Sequence, residues 1–316
     1  MRHLKALSAV AGTTPIAIPK RPQRLSELTA LGYVVAPSLD RAAEMGARYC
    51  VIASDTRHHA DDSIAALSRG MDILVEKPLA ANAVDAIAVL KKAVEVGQQV
   101  FVASPLRFSK SISGFRRVVA LAGRLHSVRV ECQSYLPEWR PSRSYRDSYS
   151  AQPDQGGALR DLIHEIDYAA WLFGWPQSVH AYVKNLGRLG IQSDELAELT
   201  WETAEGAIVS ICLDYLTRAP RRQTQAHGEA GSVEWDALTG TVTLSLAGNP
   251  QQTSHAPDSA DELFATQDSA FMSSSQKPDF RLATGADGAK VLAICDAARH
   301  SAQSRREEVV EYPENG

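Results

Sequence analysis

The stretch Ile73-Leu74-Val75-Glu76-Lys77-Pro78-Leu79 carries the most informative pattern of the chain. Its first three residues form a short apolar run that is typical of a buried β-strand, and the run ends in a charged pair followed by proline. In an open α/β sheet, ligands bind beyond the carboxyl ends of the strands. Lys77 is therefore expected where a substrate binds, although a solvated Glu–Lys pair at a strand end fits the same residues.

Short apolar runs of this kind recur through the first hundred residues. Besides the strand at 73–75, we predict strands at 15–18, 33–35, 49–53 and 99–103. The helices predicted between them cover residues 22–31, 59–69 and 83–96. Strands that are apolar on both faces and alternate with helices indicate a parallel sheet covered on both sides. Because parallel crossovers are right-handed, this part of the chain predicts a doubly wound, Rossmann-like α/β domain over residues 1–107.

The pattern changes after about residue 108, where strands follow one another with few helices between them. These strands are predicted at 124–137, 178–185, 195–203, 207–216, 221–227, 232–235 and 241–246. Consecutive strands indicate a large open antiparallel sheet, so residues 108–316 are predicted to form an α+β domain. Its predicted helices cover 158–173 and 286–303, and the polar segment 250–280 is predicted as a long loop with some helix.

The composition argues against several classes of function. The chain has 316 residues, with 33 basic and 37 acidic side chains and a formal net charge of −4, so no global basic field attracts nucleic acid. No apolar run approaches the roughly 18 residues of a membrane helix. The four cysteines lie at positions 50, 132, 212 and 295. This wide spacing fits neither a zinc motif nor a disulfide scaffold and favours a reducing, cytoplasmic location.

A second informative stretch runs from Gly156-Gly157 to Asp167. The glycine pair allows a tight turn into a helix, on which Asp161, His164 and Asp167 recur every three residues along one face. A carboxylate beside an imidazole keeps the ring basic, which suits abstraction of a proton from a hydroxyl. A polar stripe on an ordinary helix is the alternative. The same spacing suits a metal, but no further ligand cluster supports one, so no metal site is predicted.

Together, the two stretches resemble the Gfo/Idh/MocA family of oxidoreductases. The match consists of Glu76-Lys77-Pro78 after a Rossmann strand and, downstream, the Gly-Gly, Asp161 and His164 helix. Three further segments are similar to family motifs and bring the resemblance to nearly the whole chain: 53–59, 106–108 and 228–235. Segment 136–151 looks like a subgroup found with sialic- and legionaminic-type sugar biosynthesis.

The resemblance implies an NAD- or NADP-dependent enzyme that transfers a hydride between nicotinamide and a hydroxyl carbon of a sugar or nucleotide sugar. The implied catalytic residues are His164, which exchanges the hydroxyl proton, Asp161, which orients His164 or a neighbouring hydroxyl, and Lys77, which hydrogen-bonds to the reacting oxygen. The implied cofactor-binding residues are Ser54, Thr56, His59, Glu76, Lys77 and Arg21. A homo-oligomer formed through the exposed face of the antiparallel sheet is also implied.

Arginine and aromatic side chains supply the candidate substrate contacts. Such side chains stack on sugar rings and bind carboxylate or phosphate groups. The candidates are Arg107, Arg140, Tyr145 and Tyr149. An ordinary polar surface loop is the alternative for segment 136–151.

The chain departs from the family at its start. The family's Gly-rich pyrophosphate loop is not found, because no Gly-x-Gly sequence occurs in the chain, and residues 1–7 look like the helix that normally follows it. We therefore expect an N-terminally truncated Rossmann-like domain. A start assigned too late, a shortened gene, and a protein that has abandoned the cofactor are three open explanations. The last would make the chain a non-catalytic sugar- or partner-binding remnant.

The end of the predicted strand 15–18 bears on the choice of cofactor. NAD-preferring sheets often carry an acidic residue there, which binds the ribose hydroxyls. This chain has Lys20 and Arg21 instead, so a 2′-phosphate, and hence NADP, is a candidate ligand.

Overall fold

The structure, a computed structural model, describes residues 1–10, 12–153 and 155–313. The chain divides into two compact units, the first formed by Met1–Phe108 with Ser259–Ala289 and the second by Ser109–Asp258 with Lys290–Tyr312. No helix of the described residues is long and apolar enough to cross a membrane.

The first unit alternates short strands with helices, as predicted. Its elements are α1 (Arg2–Ser8), β1 (Ile16–Ala17), α2 (Gln23–Ala30), β2 (Val34–Val35), α3 (Leu39–Glu44), β3 (Tyr49–Ile52), α4 (His59–Leu67), β4 (Asp72–Val75), α5 (Ala83–Val96), β5 (Val100–Val102), α9 (Ala260–Met272) and β14 (Ala283–Thr284). Local chemistry fixes the ends of α5. Asn82 accepts the N–H of Asp85 at its start, and Gly97, at φ 68°, ends it in the left-handed region.

The strands of this unit form two sheets rather than the single sheet predicted. β1 pairs with β2 in parallel, and the other strands run in the order β14-β5-β4-β3, with β3, β4 and β5 parallel. Pro15 and Pro19 flank β1 and have no N–H to donate, which limits its ladder to two residues. The predicted parallel α/β class is nevertheless confirmed.

The chain returns to the first unit after residue 258, whereas the sequence predicts one continuous domain from 108 to the end. Phe271 of α9 is fully buried in a core cluster with Leu74, Phe108 and Leu282. The apolar positions of α9 therefore complete the first unit, and the segment predicted as mainly loop contains a helix of 13 residues.

The second unit is built on a nine-stranded sheet. Its elements are α6 (Lys110–Val118), β6 (Leu125–Gln133), α7 (Ala158–Asp161), α8 (His164–Phe173), β7 (Ser178–Lys184), β8 (Leu196–Glu202), β9 (Ile208–Asp214), β10 (Arg221–Gly228), β11 (Gly231–Asp236), β12 (Thr241–Leu246), β13 (Gln252–His255) and β15 (Glu308–Val309). Helix α10 (Gly285–Ser304) begins in the first unit and continues into the second. The strand order is β13-β12-β11-β10-β6-β9-β8-β7-β15.

The predicted large sheet is confirmed, with one correction. All neighbouring strands are antiparallel except β6 and β9, which pair in parallel. A parallel pair needs a long crossover, and α7, α8, β7 and β8 lie between these two strands in the chain. Residues of β6, β8 and β9 alternate between buried and more exposed, so one face of the sheet packs on the core and the other stays open.

Candidate functional site

Lys77 lies at the carboxyl end of the parallel sheet of the first unit. It follows β4 after Glu76, whose N–H donates to the carbonyl of Ile52 at 2.8 Å and extends the ladder beyond β4. The burial of Ile73, Leu74 and Val75 in the sheet thus fixes where the charged pair begins. The structure places this pair at the edge where α/β sheets bind ligands.

Glu76 has a partner that the sequence did not reveal. His3 of α1, only 7% exposed, points Nε2 at the Glu76 carboxylate at 3.0 Å and Nδ1 at Asp268 of α9 at 2.8 Å. Asp268 is fully buried. His3 and Asp268 lie far apart in the chain and follow no spacing rule, so only the fold brings them together.

The turn after β3 contains three of the predicted cofactor residues. His59 is 1% exposed, and both of its ring nitrogens lie within hydrogen-bonding distance of backbone carbonyls, those of Pro78 at 2.7 Å and Ser54 at 3.1 Å. Its imidazole therefore holds this turn against the segment after Lys77 and is not presented to a ligand. Ser54 donates its hydroxyl to Asp62 at 2.7 Å, and Thr56 is half-buried nearby in the chain.

The two basic residues after β1 differ in their contact with Asp62. Lys20 forms an ion pair with Asp62, whereas Arg21 is exposed. The Asp62 carboxylate thus links the chain after β1 to Ser54 after β3. In the described contacts, Lys20 is paired with a carboxylate and Arg21 is not.

Arg107, a predicted substrate contact, is buried in the first unit. Its side chain is 1% exposed, and Nη1 donates to Asp287 at 3.3 Å. Asp287 also accepts the N–H of Thr284 at 3.1 Å. This contact lies within the first unit, because residue 287 belongs to the segment that returns there.

In the second unit, Asp161 is the centre of a cluster of hydroxyl groups. Its carboxylate accepts hydrogen bonds from Tyr149 at 2.7 Å, Ser150 at 2.6 Å and Tyr215 at 3.0 Å. Burial, and then the charge of Asp161, raise the pKa of Tyr215 well above its ordinary value, so this phenol remains a donor. The structure brings Asp161 together with Tyr149, a predicted substrate residue, and adds Ser150 and Tyr215.

The helix predicted over 158–173 is broken between Asp161 and His164. α7 ends at Asp161, Leu162 leaves the helical region at φ −95° and ψ 29°, and α8 begins at His164. The two residues therefore do not share one helical face. Each helix has its own anchor, because Glu165, fully buried at the start of α8, accepts Arg222 Nε at 2.6 Å and Nη2 at 3.1 Å.

The anchor of α7 is Asp194. Its carboxylate accepts the N–H of Leu159 at 2.9 Å and a guanidinium hydrogen bond from Arg299 at 3.0 Å, and its carbonyl accepts the N–H of Ala158 at 2.9 Å. These bonds satisfy N–H groups that every helix start leaves open. Sequence reasoning found the Gly156-Gly157 turn but not Asp194, which lies beyond the end of α8.

The loop before α7 holds the remaining substrate candidates. Arg140 lies over the ring of Tyr149, 5.7 Å from its centroid, and Tyr145 donates its hydroxyl to the carbonyl of Leu189 at 3.0 Å. Arg140 and Tyr145 line the same small cavity, together with Ser150. The loop is thus tied down at several points while it exposes cationic and aromatic surface.

The fold and these features together define a two-domain protein of the dinucleotide-dependent oxidoreductase class. A family model for the NAD-binding Rossmann fold of the oxidoreductase family matches residues 2–104, and a model for the GFO/IDH/MocA C-terminal domain matches residues 120–234. The chain belongs to the Gfo/Idh/MocA family. The prediction of a nicotinamide dinucleotide cofactor is confirmed at this level, since the matched domain is the NAD-binding one.

Two of the relatives that the chain matches are named as dehydrogenases. The chain is 26% identical to 4-carboxy-2-hydroxymuconate-6-semialdehyde dehydrogenase of Sphingobium sp. over 69% of this chain and 70% of that protein. It is 26% identical to inositol 2-dehydrogenase 2 of Saccharopolyspora erythraea over 79% of this chain and 73% of that protein. Both identities lie too low to transfer a substrate.

Solved structures share the fold over nearly the whole chain. Levoglucosan dehydrogenase in complex with NADH matches with a TM-score of 0.86 at 19% identity, covering 99% of this chain and 96% of that one. The WlbA dehydrogenase from Bordetella pertussis, in complex with NADH and UDP-GlcNAcA, matches with a TM-score of 0.82 at 19% identity, covering 99% and 94%.

The described residues fit part of a nicotinamide dinucleotide. Thr56 after β3 and Lys77 after β4 supply a hydroxyl and an ammonium donor at the carboxyl end of the parallel strands, and the Ser54 hydroxyl, which donates to Asp62, keeps its oxygen as an acceptor. The sequence contains no Gly-x-Gly, the pattern that binds the pyrophosphate in dinucleotide-binding domains.

Proposed function

We propose that the chain is an NAD- or NADP-dependent oxidoreductase that transfers a hydride between nicotinamide and a hydroxyl carbon of a sugar or nucleotide sugar. The observation that carries the proposal is Lys77, which stands at the carboxyl end of β4 in a domain matched by an NAD-binding family model. Relatives named inositol dehydrogenase and 1,5-anhydro-D-fructose reductase support a cyclic polyhydroxylated substrate.

The protein's own part is to hold charge and move a proton, while the nicotinamide accepts or gives the hydride. Oxidation of an alcohol carbon releases its hydroxyl proton, for which the His164 imidazole is the proposed acceptor. Lys77 donates a hydrogen bond to the same oxygen and stabilises the negative charge that develops there. In the reducing direction the same groups return the proton.

Asp161 has a positioning role in this proposal. A carboxylate that already accepts three hydroxyl hydrogen bonds is a poor base for a further proton but a firm anchor for its donors. Asp161 therefore orients Tyr149, which contacts the substrate together with Arg140 and Tyr145. Sugar rings stack on such aromatic faces, and a sugar carboxylate or phosphate pairs with the guanidinium. A sialic- or legionaminic-type sugar derivative carries both features.

The cofactor contacts come from the segments after the parallel strands. Ser54 and Thr56 contact the nicotinamide end, with His59 holding their turn in place through its two carbonyl contacts. Glu76 contributes through its backbone beside Lys77. Arg21, exposed after β1, faces the adenosine ribose and favours a 2′-phosphate.

A cytoplasmic homo-oligomer completes the proposal. On the open face of the nine-stranded sheet, Tyr182 is 54% exposed and Ile208 is 42% exposed, and charged side chains such as Glu198 lie beside them. A second copy of the chain would cover this face.

A fluorescence titration of the purified chain with NADH and NADPH tests the proposal first. Saturable binding in the micromolar range supports an enzyme that holds its cofactor with the residues that follow the parallel strands. Absence of binding by protein shown to be folded contradicts the proposal for this chain and favours a sugar- or partner-binding remnant. A panel of inositols, anhydrosugars and UDP-N-acetylhexosamines, each with NAD⁺ and NADP⁺, then identifies the substrate class.

A further inference from the structure

A buried chain of charges runs through the first unit and ends at Lys77. Asp268 of α9 is fully buried and accepts a hydrogen bond from His3 Nδ1 at 2.8 Å. The opposite nitrogen of the same ring, Nε2, lies 3.0 Å from Glu76 Oε1. The edge of the His3 ring also packs on Phe264 of α9, with the centroids 4.9 Å apart.

This geometry favours the charged form of the ring. A neutral imidazole has one N–H and one lone pair, so it can donate to only one of two carboxylates that flank it. Two ionised carboxylates on opposite nitrogens require both nitrogens to carry protons. Burial by itself disfavours the charged ring, but the hydrogen bonds to Asp268 and Glu76 outweigh it and raise the pKa of His3 to about 9.

The last link is between Glu76 and Lys77. The Glu76 carboxylate interacts both with the backbone N–H of Lys77 and with the positive charge of its side chain. The N–H of Glu76 is meanwhile committed to Ile52 in the sheet. The backbone of Glu76 is thus held by β3 and its carboxylate by His3. The following peptide bond, which leads to Lys77, is therefore restrained.

We propose that His3 is a positioning residue for Lys77: an imidazole, cationic at neutral pH, that joins the buried carboxylate of Asp268 to that of Glu76 and thereby fixes the peptide and the electrostatic surroundings of Lys77. The inference rests on the proposed function only in giving Lys77 a catalytic task. Without the imidazolium, Asp268 and Glu76 would confront each other as uncompensated carboxylates, and Glu76 would be free to turn toward the Lys77 ammonium.

Other cations near this chain, among them the α-amino group of Met1, interact with Glu76, but none of those described also contacts Asp268. The helix of His3 carries Arg2, which pairs with Asp261 at 3.8 Å, and the exposed Lys5. Asp268 additionally accepts a weak hydrogen bond from Gln267 at 3.3 Å, a neutral donor. Among the described contacts, His3 is the cation that lies between the two carboxylates.

The test combines a double-mutant cycle with a direct observation of the two side chains. The variants are His3→Asn, Lys77→Met and the double variant, with His255→Asn on the exposed strand β13 as the matched control. We expect a roughly tenfold loss of kcat in His3→Asn, with the dissociation constant for the dinucleotide nearly unchanged. The double variant should be no slower than Lys77→Met alone, because His3 acts through Lys77.

Nitrogen NMR of the histidines and carbon NMR of methylated Lys77 give readouts that need no substrate. His3 should keep both ring protons through neutral pH, and the titration of Lys77 should move to higher pH in His3→Asn but not in His255→Asn. If the wild type shows no turnover, the proposed function fails while these two measurements still decide the inference. An ordinary titration of His3 near pH 6.5, an unchanged Lys77 titration, or additive losses in the cycle overturns it. If His3→Asn does not fold, Asp268→Asn replaces it and is judged by the same criteria.

Discussion

Gly157 and Asp194 fit together so closely that the Asp194 carboxylate stands where a β-carbon on residue 157 would lie. Gly157 also has φ +94°, a conformation that side chains rarely adopt. The pair sets the position of α7 and hence of Asp161 at its end. The same carboxylate accepts the N–H of Leu159. Glycine at 157 therefore leaves the space that Asp194 needs to cap the start of α7.

The first prediction follows from this pair. Gly157→Ala should lower the free energy of unfolding by about 2 kcal/mol more than Gly174→Ala. Gly174 is the matched control, because it has φ +102° but nothing within 4 Å of a β-carbon, so its substitution adds only the backbone strain. Urea denaturation of both variants gives the difference. Equal losses of unfolding free energy in the two variants would show that the Asp194 side chain can move aside easily, and would contradict its proposed role in positioning α7.

The second prediction concerns the hydroxyl cluster around Asp161. Tyr149→Phe removes one of the three described hydroxyl donors from the carboxylate but keeps the ring under Arg140. Loss of a hydrogen bond to a charged group costs about 1–3 kcal/mol, and we expect kcat/KM to fall roughly tenfold as Tyr149 loses its fixed orientation. Tyr33→Phe, half-buried before β2 and with no hydroxyl contact among the described hydrogen bonds, should leave both stability and kcat/KM unchanged. A Tyr149→Phe enzyme with normal kcat/KM would contradict the role proposed for Asp161.

The third prediction is a pH dependence of stability. The folded pKa of His3, about 9, exceeds its ordinary value of 6.5. Its contribution is therefore fully present below pH 6.5 and is lost as the pH rises through 9. The size is on the order of 3 kcal/mol.

Unfolding free energies of the wild type and His3→Asn, measured at several pH values across this window, test the sign. The gap between the two proteins should be widest below the window and should close as the pH rises through it. A gap that stays constant over this range would mean that His3 is not charged in the folded protein.

The fourth prediction addresses the choice between NAD and NADP. Arg21→Ala should weaken NADPH binding roughly fivefold, about 1 kcal/mol, relative to NADH, because an exposed cation loses its pairing with the 2′-phosphate. Lys20→Ala is the comparison, since Lys20 is already paired with Asp62 and should change the ratio less. Parallel titrations of each variant with both cofactors measure the ratio. An unchanged ratio in Arg21→Ala would assign the 2′-phosphate contact elsewhere.

The sequence predicted elements whose signal is local. β12 and α5 begin and end where the apolar periodicity places them, over Thr241–Leu246 and Ala83–Val96. The position of Lys77 at the end of a parallel strand is predictable because the apolar run and the charged pair that ends it are neighbours in the sequence. The return of Ser259–Ala289 to the first unit is not readable, since the partners of Phe271 lie far away in sequence.

The same limit explains the gaps in the candidate site. A period of three fits helical geometry and predicts Asp161 and His164 on one helix, but distant anchors at Asp194 and Arg222 hold two separate helices. His59 matches a family motif, yet its two ring nitrogens face backbone carbonyls that only the folded turn brings near. His3 and Asp268 belong to no recognisable sequence motif. Their contact joins residues that are 265 positions apart, so only the folded structure reveals it.

Hydride transfer that depends on Lys77 is the central claim. The most direct measurement is the formation of reduced nicotinamide by the purified chain over the panel of cyclic polyols and nucleotide sugars, with Lys77→Met run in parallel. We expect one substrate class to give saturable turnover in the wild type, and Lys77→Met to bind the dinucleotide but to lose kcat by at least about a hundredfold. Turnover that survives in Lys77→Met, or a folded wild type that binds dinucleotide and oxidises no member of the panel, would contradict the central claim.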